Sequence, residues 1–155
     1  MMIRESVKIG DKELSIETGR MAKQADGSVV VRLGDTMVLV TAVADDDERD
    51  FPFLPLTVDY TEKMYAAGRI PGSYFRREGR PPSHAVLTCR LIDRPIRPLL
   101  PTGWRNESQA LAQVISHDKI NPSAILALPL ASAALLTSHT PCAGPLPAVH
   151  VGPAD

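Results

Sequence analysis

The chain opens with apolar and polar residues in alternation. Val7 and Ile9 flank Lys8, Leu14 and Ile16 flank Ser15, and Gly10-Asp11 separates the two stretches. Alternation with period two places the apolar side chains on one face of a strand, and a glycine-led dipeptide between two such runs marks a hairpin. A second pair follows, Val29 to Leu33 and Thr36 to Val43, joined by Gly34-Asp35. Here the apolar run is nearly continuous and rich in β-branched residues, which predicts strands at the sheet centre, buried on both faces. Asp45 to Asp50 (Asp-Asp-Asp-Glu-Arg-Asp) reads as a charged loop. Leu54 to Tyr60 reads as a third strand region, at an edge or with a bulge, because Pro52 and Pro55 have no N–H to give a ladder.

Residues 61–82 break every periodic pattern and predict a long loop, which in a compact domain is usually functional or disordered. A helix is expected from Ser83, read as an N-cap after the prolines. At 100° per residue Ala85, Cys89, Ile92 and Ile96 share a core-facing stripe, and Arg90, Arg94 and Arg97 share the opposite side. Pro95 disfavours helical geometry at Arg94, so the helix is expected to reach Asp93 only. Gln109 to Ser116 reads as a strand, and residues 122–137 as a second helix with Asn121-Pro122 as its cap and first turn. From Ser138 the chain turns irregular, with Ala148 to Val151 as a short candidate strand. The order predicts an α+β fold, helices packed on a mixed sheet. Aromatic residues make up only 5% of the chain, so aliphatic side chains must fill the core.

The distribution of charge is more telling than composition. Between Arg69 and Arg97 lie seven arginines, no lysine and two acids, Glu78 and Asp93, a local charge of +5; with a net charge of −1, the rest of the chain carries −6. A basic patch on an acidic chain attracts polyanions, and arginine favours bidentate phosphate contacts and base stacking. Within the patch, Tyr74-Phe75-Arg76-Arg77 sets two aromatic rings beside two guanidinium groups. That pairing suits single-stranded nucleic acid, held by stacking of bases and by cationic contact with the backbone. The alternative is that Tyr74 and Phe75 fill a satellite core while the arginines form surface ion pairs. Arg90, Arg94 and Arg97 either extend the phosphate track or form a solvated helix face.

Other chemistry finds less footing. The contiguous acids Asp45 to Glu48 read as a solvated run, not as metal ligands, which usually come from separated positions. His84, His117, His139 and His150 share no spacing and read as surface or loop histidines. Ser132, inside an apolar helix, reads as a packing residue, and neither a Walker loop nor a nucleophile elbow is present. The two cysteines, Cys89 and Cys142, have no metal-ligand spacing, and a reduced, cytoplasmic setting is expected. No signal peptide is read at the start, and the most apolar stretch, Ala124 to Leu136, is too short for a membrane span and contains Pro129. The residues alone reach an arginine–aromatic loop suited to RNA or another polyanion, and no reaction.

The loop residues Ala66 to Pro81, centred on Gly72-Ser73-Tyr74-Phe75-Arg76-Arg77-Glu78-Gly79-Arg80, resemble the RNA-binding loop of the bacterial polynucleotide phosphorylase family. Arg90-Leu91-Ile92-Asp93-Arg94-Pro95-Ile96-Arg97-Pro98-Leu99 resembles the helix that follows it there, and Glu17-Thr18-Gly19-Arg20 and Leu33-Gly34-Asp35-Thr36 resemble the opening strands of RNase PH-like domains. The resemblance implies an RNase PH-like domain over residues 1–137, incomplete, with 138–155 an irregular tail. It implies membership of an enzyme that degrades RNA from the 3′ end by phosphorolysis, releasing nucleoside diphosphates, in mRNA turnover. Inorganic phosphate would be co-substrate and magnesium a cofactor, with the ligands of both in a second RNase PH-like domain outside this chain. It further implies a homotrimer, partners in an RNA degradosome, and RNA contacts from Arg69, Tyr74, Phe75, Arg76, Arg77, Arg80, Arg90, Arg94 and Arg97. The rival readings are a stand-alone RNase PH and a non-catalytic RNA-binding or assembly module.

Overall fold

The computed structural model describes residues 1–72 and 78–152. Six strands, β1 (Ile3–Ile9), β2 (Lys12–Thr18), β3 (Gly27–Leu33), β4 (Thr36–Glu48), β5 (Leu56–Glu62) and β6 (Asn106–Ser116), form one mixed sheet in the order β1-β2-β3-β4-β6-β5. Two helices, α1 (Ser83–Ile96) and α2 (Ser123–Thr137), pack on it, with 3₁₀ turns at Met64–Ala67 and Arg97–Leu99. The architecture is the expected α+β class. The two predicted hairpins form as β1–β2 and β3–β4, with Ile9 opposite Lys12 and Leu33 opposite Thr36. Gly10 and Gly34 adopt φ of 63° and 61° at the first turn position, where a two-residue hairpin favours glycine. β1 is an outer strand, exposed along its length.

The core lies between the sheet and the helices. Val29 and Val31 of β3 face Val40 and Val38 of β4, and all four are buried. α2 is apolar nearly all round and buries Leu126, Leu130, Ala131, Ala134 and Leu135 against β3, β4 and α1, as a helix surrounded by protein must. It sits so close to β3 that a Cβ on Gly27 would meet the Ala134 carbonyl oxygen at 2.0 Å. α1 packs on β5 through Ala85, Ile92 and Ile96, and half-buried Cys89 accepts the Tyr60 N–H at 3.1 Å. At the entry to α2, Asp118 gathers the Ile120 and Asn121 N–H groups and the Thr36 hydroxyl. Burial alone would raise its pKa, but these donors together hold it well below the usual carboxylate range.

Several expectations are corrected. Asp45 to Glu48 belong to β4 and are not a loop: Asn106 Nδ2 donates to the Asp45 and Asp46 carbonyls at 2.9 and 3.2 Å, and Glu48 pairs with Asn106 beyond a bulge. β3 is buried on both faces from Gly27 to Val31, as expected, but along β4 only the inward residues are buried and the other face is partly covered. The 61–82 loop is shorter than expected, since β5 reaches Glu62 and a 3₁₀ turn follows.

The helix ends differ too. Ser83 is the first helical residue, not the cap; Pro82 holds the N-cap position in extended geometry. Likewise Pro122 is the N-cap of α2, and Ser123 its first residue. α1 runs through Pro95 to Ile96, because proline deletes only its own N–H and the Arg97 N–H still reaches the Asp93 carbonyl. Ala148 to Val151 form no strand. The segment before it is tied to α2 instead: the buried Ser132 hydroxyl donates to the Pro129 carbonyl and accepts the Leu146 N–H at 2.9 Å, and Leu146 and Ala148 pack against the core.

The close approach at Gly27 yields a stability test. Gly27→Ala should cost about 1–3 kcal/mol in urea unfolding, since α2 must lift off β3 to admit the methyl group. Gly72→Ala, where nothing lies within 4 Å of the added carbon, should stay within about 1 kcal/mol of the parent.

Candidate nucleic-acid interface

β5 runs parallel to β6, so the chain cannot return by a tight turn and must cross over. The crossover leaves the C-terminal end of β5, passes through the 3₁₀ turn and the arginine segment, and comes back along α1. In open sheets the space beyond the carboxyl ends of strands is where ligands settle. A cavity of about 450 Å³ lies there, lined by the end of β5, both stems of the loop and the first turn of α1.

The expected site residues divide. Arg69 and Arg80 both line this cavity, with Lys63 and His84 beside them. Tyr74, Phe75, Arg76 and Arg77, the four residues on which the aromatic–arginine reading rests, lie outside the described residues. Arg90 and Arg94 lie on α1 but do not line the cavity. Arg97 stands at the far end of α1, about 20 Å along the axis from its first turn at 1.5 Å per residue. Its guanidinium is engaged by the protein: Nε donates to Asp93 Oδ2 at 2.7 Å, and Nη1 and Nη2 donate to the Leu54 and Leu56 carbonyls at 3.3 and 3.0 Å. Arg97 therefore ties the end of α1 to the start of β5.

Residue reading missed the acids and hydroxyls beneath the basic rim. Glu62 Oε2 accepts the Tyr60 hydroxyl at 2.8 Å and has His84 Nε2 at 3.9 Å. The Tyr60 and Ser123 hydroxyl oxygens also lie 2.8 Å apart. Tyr60-x-Glu62 is a same-face pair at the end of an edge strand, a signal visible in sequence, but Ser123 comes from α2 and only the fold brings it in. Burial raises the Tyr60 phenol well above the ordinary tyrosine value; the Ser123 bond opposes this and the Glu62 carboxylate adds to it. The Cys89 thiol is likewise raised, chiefly by burial, where it packs between α1 and β5. Among the described residues no three His, Cys, Asp or Glu side chains converge on a metal position, and no helix is long and apolar enough to cross a membrane.

Residues 10–141 match the 3′ exoribonuclease family, domain 1, known as RNase PH. The chain belongs to that family. A polyribonucleotide nucleotidyltransferase of Myxococcus xanthus is 58% identical over 151 residues, covering 97% of this chain and 21% of that protein. One of Sorangium cellulosum is 52% identical over 155 residues, covering 100% of this chain and 20% of the relative. The chain spans about a fifth of the length of the curated relatives it matches. The crystal structure of rice Rrp46 superposes with a TM-score of 0.61 at 16% identity, over 84% of this chain and 57% of that one, a likeness of fold alone. The RNase PH-like fold expected from the motifs is the one observed.

The Tyr60 environment predicts a titration. Because the neutral phenol is favoured in the folded chain, its contribution to stability is present below roughly pH 10 and is lost as pH rises beyond it. The difference in phenolate absorbance between the parent and Tyr60→Phe should appear only above pH 10, together with unfolding; a step of ordinary midpoint in the folded chain would contradict the buried network.

Proposed function

We propose that this chain is the first RNase PH-like domain of a polyribonucleotide nucleotidyltransferase and that it holds single-stranded RNA on the arginine segment of its β5–α1 crossover. The carrying observation is that Arg69 and Arg80, on either side of the Tyr74–Arg77 run, line one cavity at the C-terminal end of β5. In this reading Tyr74 and Phe75 stack on bases, each worth about 1–3 kcal/mol on truncation, while Arg76, Arg77, Arg69 and Arg80 meet the phosphates. Arg90 and Arg94 add positive potential along α1. Arg97 acts mainly through its hold on β5.

The reaction of the whole enzyme is 3′ to 5′ phosphorolysis, in which inorganic phosphate attacks the terminal linkage and releases a nucleoside diphosphate. The remainder of the longer enzyme supplies the phosphate and magnesium sites. The homotrimer, the degradosome partners, the cytoplasmic setting, the role in mRNA turnover and the division at residue 137 go with this reading. The relatives' shared name favours it over a stand-alone RNase PH.

A salt titration of oligoadenylate binding tests the role. Arg76→Ala/Arg77→Ala should bind more weakly than the parent, with the slope against salt shallower by ~0.7 for each phosphate that the variant no longer neutralises on a single strand. Equal binding by two chains with the same circular dichroism would overturn it.

A further inference from the structure

The connection from β4 to β5 carries Phe51-Pro52-Phe53. Proline fixes its own φ and restricts the residue before it, and the Phe51 and Phe53 rings stack on each other with centroids 5.4 Å apart. Phe51 is half-buried, but Phe53 is 63% exposed. A ring that only filled a satellite core would be drawn out of water. Phe53 borders a cleft of about 560 Å³ between this connection and the turn that leads from α1 to β6. Trp104 forms another part of the wall, packed against the core and held by Nε1 donating to Ser108 Oγ at 2.9 Å. Arg97 and Arg105 line the cleft, and among the described residues no aspartate or glutamate does. The Arg97 guanidinium is spent on Asp93 and the Leu54 and Leu56 carbonyls, so it adds positive potential only. Arg105 is 54% exposed and faces the fully exposed Asp50 at 3.8 Å, the kind of surface pair that holds little energy. The cleft lies at the opposite end of α1 from the cavity beside β5.

We propose that this cleft is a second RNA contact, where a base of single-stranded RNA stacks on the exposed face of Phe53 beside Trp104 and Arg105 meets a phosphate. An exposed ring with a cationic neighbour is the pairing that holds a base and its backbone. Aromatic grooves also take proline-rich peptides, but two arginines without a lining acid, on a chain of net charge −1, match a polyanion. RNA as the ligand rests on the RNA-holding reading, while the cleft itself is separate from the arginine segment. Exposed Arg90 and Arg94 lie on α1, the helix that runs between the two cavities.

Trp104 is the one tryptophan of the 155-residue chain, so its fluorescence reports on the cleft. Oligoadenylate should change it saturably, in step with binding measured by the anisotropy of a labelled strand. Phe53→Leu, which keeps an apolar side chain but no π face, should bind about five- to a hundredfold more weakly. Phe53→Tyr, which keeps the face, should stay within about threefold of the parent. Arg105→Ala should flatten the salt slope by ~0.7. All three should keep the parent's circular dichroism, since both side chains are exposed. A strand that binds without moving the Trp104 signal, Phe53→Leu binding like the parent, or a response to polyproline and not to oligoadenylate would overturn the cleft. Arg76→Ala/Arg77→Ala separates the two sites: if it binds like the parent while Phe53→Leu does not, the crossover reading fails and the cleft stands. No binding by the folded parent overturns both.

Discussion

Parallel pairing of β5 with β6 is the constraint on which the rest of this molecule depends. Antiparallel neighbours can be joined by two residues, as both hairpins here are, but parallel ones need a crossover. Everything between Glu62 and Asn106 is that crossover, and it contains all seven arginines of the basic patch. Of these, Arg69 and Arg80 meet at one cavity, because the connection must leave the end of β5 and return along α1. Residues placed early in such a connection emerge at the strand's carboxyl end.

A crossover this long would be loose unless pinned, and the structure pins it at both ends. At one end Met64 donates its N–H to Glu78 Oε1 and accepts the Arg69 N–H on its carbonyl. At the other, Arg97 bridges Asp93 and the carbonyls of Leu54 and Leu56, fastening α1 to the start of the strand that opened the crossover. Between them α1 buries Ala85, Ile92 and Ile96 against β5. α2 completes the core by seating directly over Gly27. An acidic chain can carry this cationic segment because most of its acids lie elsewhere, at the end of β4 and along β1 and β2 among other places.

Local pattern carried much of this into the sequence. Both glycine-led hairpins and the Ala85–Cys89–Ile92–Ile96 stripe are short-range signals and appear where periodicity puts them. What was illegible depends on distant partners. Asp45 to Glu48 look like loop because of their charge, yet Asn106, about sixty residues on, holds them in β4. Pro95 looks like a helix stop, yet packing of Ile96 and the bonds of Arg97 carry the helix past it. Ala148 to Val151 have strand composition, but the chain leading to them is bound to Ser132 of α2. At the site, the arginines were visible as a cluster, whereas the Tyr60–Glu62–Ser123 network required β5 and α2 to meet. The division of labour among the arginines was illegible too: helical phase groups Arg97 with Arg90 and Arg94, but the fold gives it to β5.

If RNA is held at the β5–α1 crossover, amide hydrogen exchange of the chain with saturating oligoadenylate should slow across residues 63–85 relative to the free chain, with β1 and β2 unchanged. Protection on β1 and β2, with 63–85 unaffected in the RNA-bound chain, would contradict it.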